Sequence, residues 1–116
     1  MQIRVVKKPI NQEELKRIAQ ERYGDLVKAV VDVEQGIMAL GGEMHADEEV
    51  VLIEQEGSQR EYTWGFNLWV DKTGEDFLEF DSLVNIKPSF GNRIRGIENA
   101  DIRQKIRDIV AKLIIT

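Results

Sequence analysis

Between Tyr62 and Ile86 the chain alternates apolar and polar residues twice, on either side of one polar turn, and no other stretch restricts the fold as much. Trp64, Phe66, Leu68 and Val70 fall on one face of a strand, with Thr63, Gly65, Asn67 and Trp69 on the other. After Asp71-Lys72-Thr73-Gly74-Glu75-Asp76 the alternation resumes. Leu78, Phe80, Ser82, Val84 and Ile86 point one way; Glu79, Asp81, Leu83, Asn85 and Lys87 point the other. Period two on both sides of a Gly-bearing turn is the signal of a β-hairpin. Burying one large apolar side chain is worth about 1.5–3 kcal/mol, so the first face must be covered. If Val70 faces Leu78, Asn67 faces Asp81 and Trp69 faces Glu79. This second face mixes Trp, Leu and Gly with amides and carboxylates, where a freely hydrated face carries mostly Lys, Glu and Thr. It is expected either to be covered by another element or chain, or to line a pocket.

A chain of 116 residues is long enough for one domain, spanning 1–116, with a core that needs no disulfide or structural metal. It has no cysteine, which excludes disulfide scaffolds, zinc–thiolate sites and cysteine nucleophiles. No basic-then-apolar leader opens the sequence, and no apolar run approaches the ~18 residues of a membrane span. A cytoplasmic location without membrane attachment is the expectation. The net charge of −5 hides an asymmetry: residues 1–86 carry −9 and residues 87–116 carry +4. An anionic partner for the basic segment is one reading of this. The simpler one folds that segment back onto the acidic hairpin, and nucleic acid is not the expected partner.

Taken in order, Ile3, Val5 and Val6 form a short strand that Pro9 ends. Asn11 caps a helix with Glu14 three residues on, Leu15, Ile18 and Ala19 form its inward stripe, and Gly24 stops it. Leu26–Val33 and Ile37–Leu40 read as strands joined by Glu34-Gln35-Gly36, apolar on both faces and so central. Asp47 is the expected N-cap of a short second helix, with Glu48 and Glu49 in its first turn and its end near Gly57. After the hairpin, Pro88 ends the last strand, residues 89–98 form a polar loop, and Asn99 caps a final helix striped by Ile102, Ile106, Ile109, Val110 and Leu113. The order β-α-β-β-α-β-β-α predicts an α+β domain. Its sheet is about five-stranded and mostly antiparallel, with three helices mainly on one face. The first six elements follow the ferredoxin-like order, to which a strand and a helix are added.

Three places could hold chemistry. Glu43, His45 and Asp47 share one side if their segment is extended, a spacing that suits a cation, although the lone histidine and the absence of cysteine argue against a metal. His45 is also the only imidazole available for acid–base work, with Asp32 or Asp81 as its carboxylate. The loop Ser89-Phe90-Gly91-Asn92-Arg93-Ile94-Arg95-Gly96 has the composition of a small anion site without being a P-loop. Asp32, His45, Asn67, Asp81 and Arg93 are expected on one common polar surface able to hold a small polar or anionic ligand. His45 and Asp81 are the candidates for catalysis. No GxGxxG, GxSxG or HExxH pattern occurs, and no cofactor is indicated.

The stretches Val30-Val31-Asp32-Val33-Glu34, Gly36–Asp47, Trp64-Gly65-Phe66-Asn67, Asp81–Pro88 and Gly91-Asn92-Arg93 resemble a family of small bacterial and archaeal proteins catalogued only as a domain of unknown function. The resemblance covers nearly the whole chain and implies no activity, cofactor or catalytic residue. It directs attention to Asp32, His45, Asp47, Asn67, Asp81, Asn85 and Arg93, polar residues inside otherwise structural segments. Two functions follow as expectations. One is a non-catalytic binding or self-associating domain using the polar hairpin face, most simply as a twofold dimer through Trp69, Leu83 and the apolar Leu113-Ile114-Ile115 end. The other is a small hydrolase or acid–base enzyme using His45 with nearby carboxylates.

Overall fold

A computed structural model describes residues 2–115. The elements are β1 (Arg4–Val6), β2 (Ile10–Asn11), α1 (Gln12–Gln20), β3 (Leu26–Asp32), β4 (Ile37–Leu40), α2 (His45–Glu56), β5 (Thr63–Trp69), β6 (Leu78–Glu79), α3 (Ala100–Leu113) and β7 (Ile114–Ile115). β1, β3, β4, β5 and β6 form one antiparallel sheet, so the fold is α+β as the patterning requires. A small parallel pair of β2 and β7 stands apart from it.

Two helices begin where the sequence says they should. The Asn11 carboxamide accepts the Glu14 amide at 2.9 Å and α1 buries Leu15, Ile18 and Ala19. Asn99 accepts from Asp101 and Ile102, and α3 buries Ile106, Val110 and Leu113. The last helix does not run on through Ile115. It stops at Leu113, and Ile114 and Ile115 extend to pair with Ile10 and Asn11. Leu113 and Ile114 are thereby buried in the chain's own core, and only Ile115 of the expected apolar end stays exposed.

The sheet order is β1-β4-β3-β5-β6. α1 joins β1 to β3 with β4 between them, and α2 joins β4 to β5 with β3 between them. Both connections step the same way across the sheet from strands that run in opposite directions. Two crossovers of one hand must then lie on opposite faces, and they do. On one face Leu15 and Ile18 of α1, with Ile106 and Val110 of α3, cover Val27, Ala29, Val31, Phe66 and Leu68. On the other, Leu52 of α2 packs with Val30, Ala39 and Val84. A ferredoxin-like sheet would return β5 to the edge beside β1. Here β5 pairs with β3 along its full length, from Leu26↔Trp69 to Asp32↔Thr63, so that part of the expectation is corrected. β3 is apolar on both faces and therefore sits in the middle of the sheet.

The hairpin is shorter than its pattern and its register is shifted by two residues. Asn67 pairs with Glu79 and Leu68 with Leu78, so Asp81 is not opposite Asn67. β6 ends at Glu79, and the chain leaves the alternation through a 3-10 turn at Leu83–Asn85. Val84 is thereby tucked under the α2 face, away from Trp64 and Phe66, and Ile86 is left exposed.

Candidate functional site

The α2 face of the sheet is built differently from the α1/α3 face. Thr63, Gly65 and Asn67 point to it from β5, and the segment after β6 closes over them. The Asn85 side chain takes the place of a missing strand: its Oδ1 accepts the Gly65 N–H at 2.7 Å and its Nδ2 donates to Gly65 O at 2.9 Å. Gly65 is required for this approach, since a Cβ there would lie 2.6 Å from Ser82 Oγ and 2.8 Å from Val84 Cγ2. Asn92 fixes the loop that follows, donating to the carbonyls of Asn85, Ile94 and Gly96 and accepting the Glu98 N–H. Nothing in the hydropathy pattern distinguishes Asn92 from its polar neighbours. Its buried position is a product of the loop's path.

α2 itself is inverted relative to an ordinary surface helix. It starts at His45 with Met44 at the cap position and no side chain capping it, so Asp47 lies in the first turn and is not the N-cap. Gly57, at φ 68°, ends it in the left-handed conformation. Its buried residues are Glu48, Glu49 and Leu52, while Val50 and Ile53 are 51 % and 38 % exposed. Glu48 Oε2 accepts the Gly42 N–H at 2.8 Å, and burial pushes its carboxyl well above the usual carboxylate range despite that bond. Glu49 accepts the Thr63 hydroxyl at 2.7 Å. Beside it, Lys87 Nζ donates to the carbonyls of Arg60 and Thr63 and lies 4.5 Å from the centre of the Trp64 ring. Burial lowers this lysine to about 8, opposed by the Glu49 charge and aided by Arg60.

A cleft opens on this face, between the first turn of α2, the paired ends of β3 and β5 at Leu26, Lys28 and Asn67, and residues 81–84, with a volume of about 240 Å³. His45, Asn67 and Asp81 all line it, so three of the five expected residues come together. Two do not. Asp32 is buried at the β3–β4 turn, where its carboxylate accepts the Glu34 and Gln35 amides, the Gln35 side chain and the Ser58 hydroxyl. It is a turn-maker with every lone pair in use. Arg93 lies outside, its amide held by Glu98; the arginine at the cleft is Arg95, whose Nε meets Asp81 Oδ1 at 2.7 Å. Residues two apart in an irregular loop cannot be told apart from sequence alone.

Within the cleft His45 Nε2 donates to Phe66 O at 2.8 Å. Burial holds the imidazole below its ordinary value and Lys28 adds to this, while the bond to Phe66, the neighbouring Asn67 side chain and the charge of Asp81 pull it back. The ring is therefore neutral at pH 7, with its proton on Nε2 and Nδ1 able to accept. Asn67 Nδ2 donates to Glu79 Oε1 at 3.0 Å and to Asp81 O at 3.3 Å. Two acceptors fix the orientation of that amide, and its Oδ1, buried, has no donor. Glu43 is exposed and His45 and Asp47 are helical, so the three do not share a side as a metal-binding segment would. Among the described residues no three His, Asp or Glu side chains converge on a metal position.

The chain belongs to the protein family of unknown function DUF5674, whose model matches residues 4–113. No curated protein and no solved structure gives a match. Membership in DUF5674 carries no activity, so any function must be argued from the cleft. No helix among the described residues is long and apolar enough to cross a membrane.

Proposed function

We propose that the chain is a non-catalytic binding domain whose cleft at the start of α2 holds a small polar ligand. The observation that carries this is the Asn67 amide oxygen, buried without a donor at a cleft that His45 and Asp81 also line. A buried unpaired acceptor costs about 1–3 kcal/mol, and a ligand donor is one way to recover it. The acid–base alternative draws on the neutral imidazole, which suits a general base. Binding accounts better for the surrounding bonds, since His45 spends its proton on a backbone carbonyl and Asp81 is engaged by Arg95. A twofold dimer through this face remains part of the proposal: Leu83, 67 % exposed, and Met44, 55 % exposed, stand at the cleft's rim. Trp69 contributes less, being half-buried with its indole N–H on Glu79.

The test is a screen of small polar fragments against the isotope-labelled chain by two-dimensional NMR. Shifts clustered on the amides of His45 and Ala46 and on the Asn67 side chain are expected. A screen whose hits all fall elsewhere, or that yields none, removes the proposal.

A further inference from the structure

We infer that the cleft takes a small α-amino acid with an apolar side chain, its carboxylate on the open first turn of α2 and its ammonium on the Asn67 amide oxygen. This rests on the binding reading above and names its ligand. The carboxylate end follows from α2. A helix of 12 residues starts at the cleft with no side chain bonded to its free amides, and those N–H groups together with the helix dipole favour an anion. Lys28 and Arg95 add two cations to the lining against the single carboxylate of Asp81.

The ammonium end follows from groups that only accept. Asn67 is 8 % exposed, and its orientation is fixed by the two acceptors on Nδ2, so what it offers the cleft is an acceptor. The half-buried His45 ring stands beside that oxygen. Turning one side chain admits a donor. Arg95 engages Asp81 through Oδ1, which leaves the second carboxylate oxygen for another N–H of the same ammonium. Between these two ends the walls are Leu26, Ala46 and Val84, with Met44 and Leu83 at the rim, an apolar surface for a side chain. A simple anion would leave Asn67 unpaired; a simple amine would leave the helix end bare.

The experiment titrates the labelled full chain with L-leucine, with 4-methylpentanoate, which lacks the ammonium, and with L-leucinol, which lacks the carboxylate. L-leucine is expected to shift the His45 and Ala46 amides and the Asn67 side-chain NH₂. Each truncated compound should bind at least about tenfold more weakly, the loss of one buried charge-assisted hydrogen bond. Lys28→Met should weaken L-leucine by about threefold to tenfold with the rest of the spectrum unchanged. Equal binding of 4-methylpentanoate overturns the ammonium assignment, and equal binding of L-leucinol overturns the carboxylate assignment. Silence with all three compounds, while the polar fragment screen still marks the same residues, overturns the amino-acid inference and leaves the binding reading standing. Silence in both experiments ends both.

Discussion

The two faces of the sheet solve the same burial problem with different chemistry. The α1/α3 face is closed by aliphatic and aromatic side chains, among them Leu15, Phe66, Leu68 and Ile106, all fully buried. The α2 face buries Glu48, Thr63, Asn67, Ser82, Asn85 and Lys87 around a small apolar patch of Val30, Ile37, Ala39, Leu52 and Val84. Dispersion and apolar burial are non-directional, so the first face tolerates modest reshaping. Hydrogen bonds are directional, and a buried polar group that loses its partner keeps its full desolvation cost. The second face accordingly has the defined cleft and leaves two buried atoms unsatisfied, Glu48 Oε1 and Asn67 Oδ1, while the apolar face leaves one, Trp64 Nε1.

The strongest way to break this contrast is a matched pair of truncations. Phe66→Ala leaves a cavity in the apolar core and should destabilise the fold by about 3–5 kcal/mol. Asn85→Ala removes far less volume, yet it strips the Gly65 N–H and carbonyl of their partners and should cost about 2–4 kcal/mol through unpaired buried groups. Urea denaturation of both variants measures it. A cost for Asn85→Ala under about 1 kcal/mol would mean that water replaces the amide, and the polar face would not be the directional structure described.

How much of this was legible in the sequence follows the same division. Apolar periodicity reports burial by area, so it located α1, α3, β3, β4 and β5 and the core residues on them. It also placed the N-caps at Asn11 and Asn99, where one side chain and one turn of backbone decide the matter. It failed where the path of the chain is set by polar groups. The alternation through Ile86 looks like strand, but Asn85 supplies with its carboxamide the bonds a strand would supply with its backbone, and β6 stops at Glu79. Asp47 has the composition of a cap, but the helix starts three residues earlier than a cap there would place it, with Met44 at the cap position, because its buried stripe is Glu48, Glu49 and Leu52, which no apolar pattern marks. For the site, His45, Asn67 and Asp81 were identifiable as polar residues in structural segments. Asp32 shares that description and has the opposite role: three of its four donors come from Glu34 and Gln35 in its own turn, and the fourth from Ser58, 26 positions away.

A second prediction concerns pH and sharpens the contrast from the electrostatic side. Lys87 has a native pKa of about 8 against an ordinary 10.5. Between those values the unfolded chain still holds the proton that the native state has released, so stability must rise with pH across that window and the gain is lost as pH falls through about 8. The slope cannot exceed about 1.4 kcal/mol per pH unit for one proton. Lys87→Met should flatten that rise, while Phe66→Ala should lower stability equally at every pH. Denaturation midpoints at pH 7.5, 8.5 and 9.5, taken for both variants and the parent, distinguish them. A parent curve that is already flat would show that the Glu49 charge and the two carbonyls outweigh the cost of burying the ammonium.

The smallest expected effect is the most informative about the cleft. His45 and Asp81 both line it, and the carboxylate's charge reaches the imidazole, but no hydrogen bond joins them: one is committed to Phe66 O and the other to Arg95. The Asp81–Arg95 pair is well exposed, so its contribution to stability lies in the range of about 0–1 kcal/mol. In a double-mutant cycle of His45→Ala and Asp81→Asn, the stability changes should therefore add to within about 0.5 kcal/mol. Additivity is what a cleft with separately anchored walls requires, since His45 is positioned by the Phe66 carbonyl and Asp81 by Arg95, and the space between them is left for a ligand. A coupling of about 1 kcal/mol or more would instead show a closed network in which the two residues stabilise each other through Asn67. In that case the orphaned Asn67 oxygen would be a feature of folding, and the polar face would be a scaffold with no vacancy to fill.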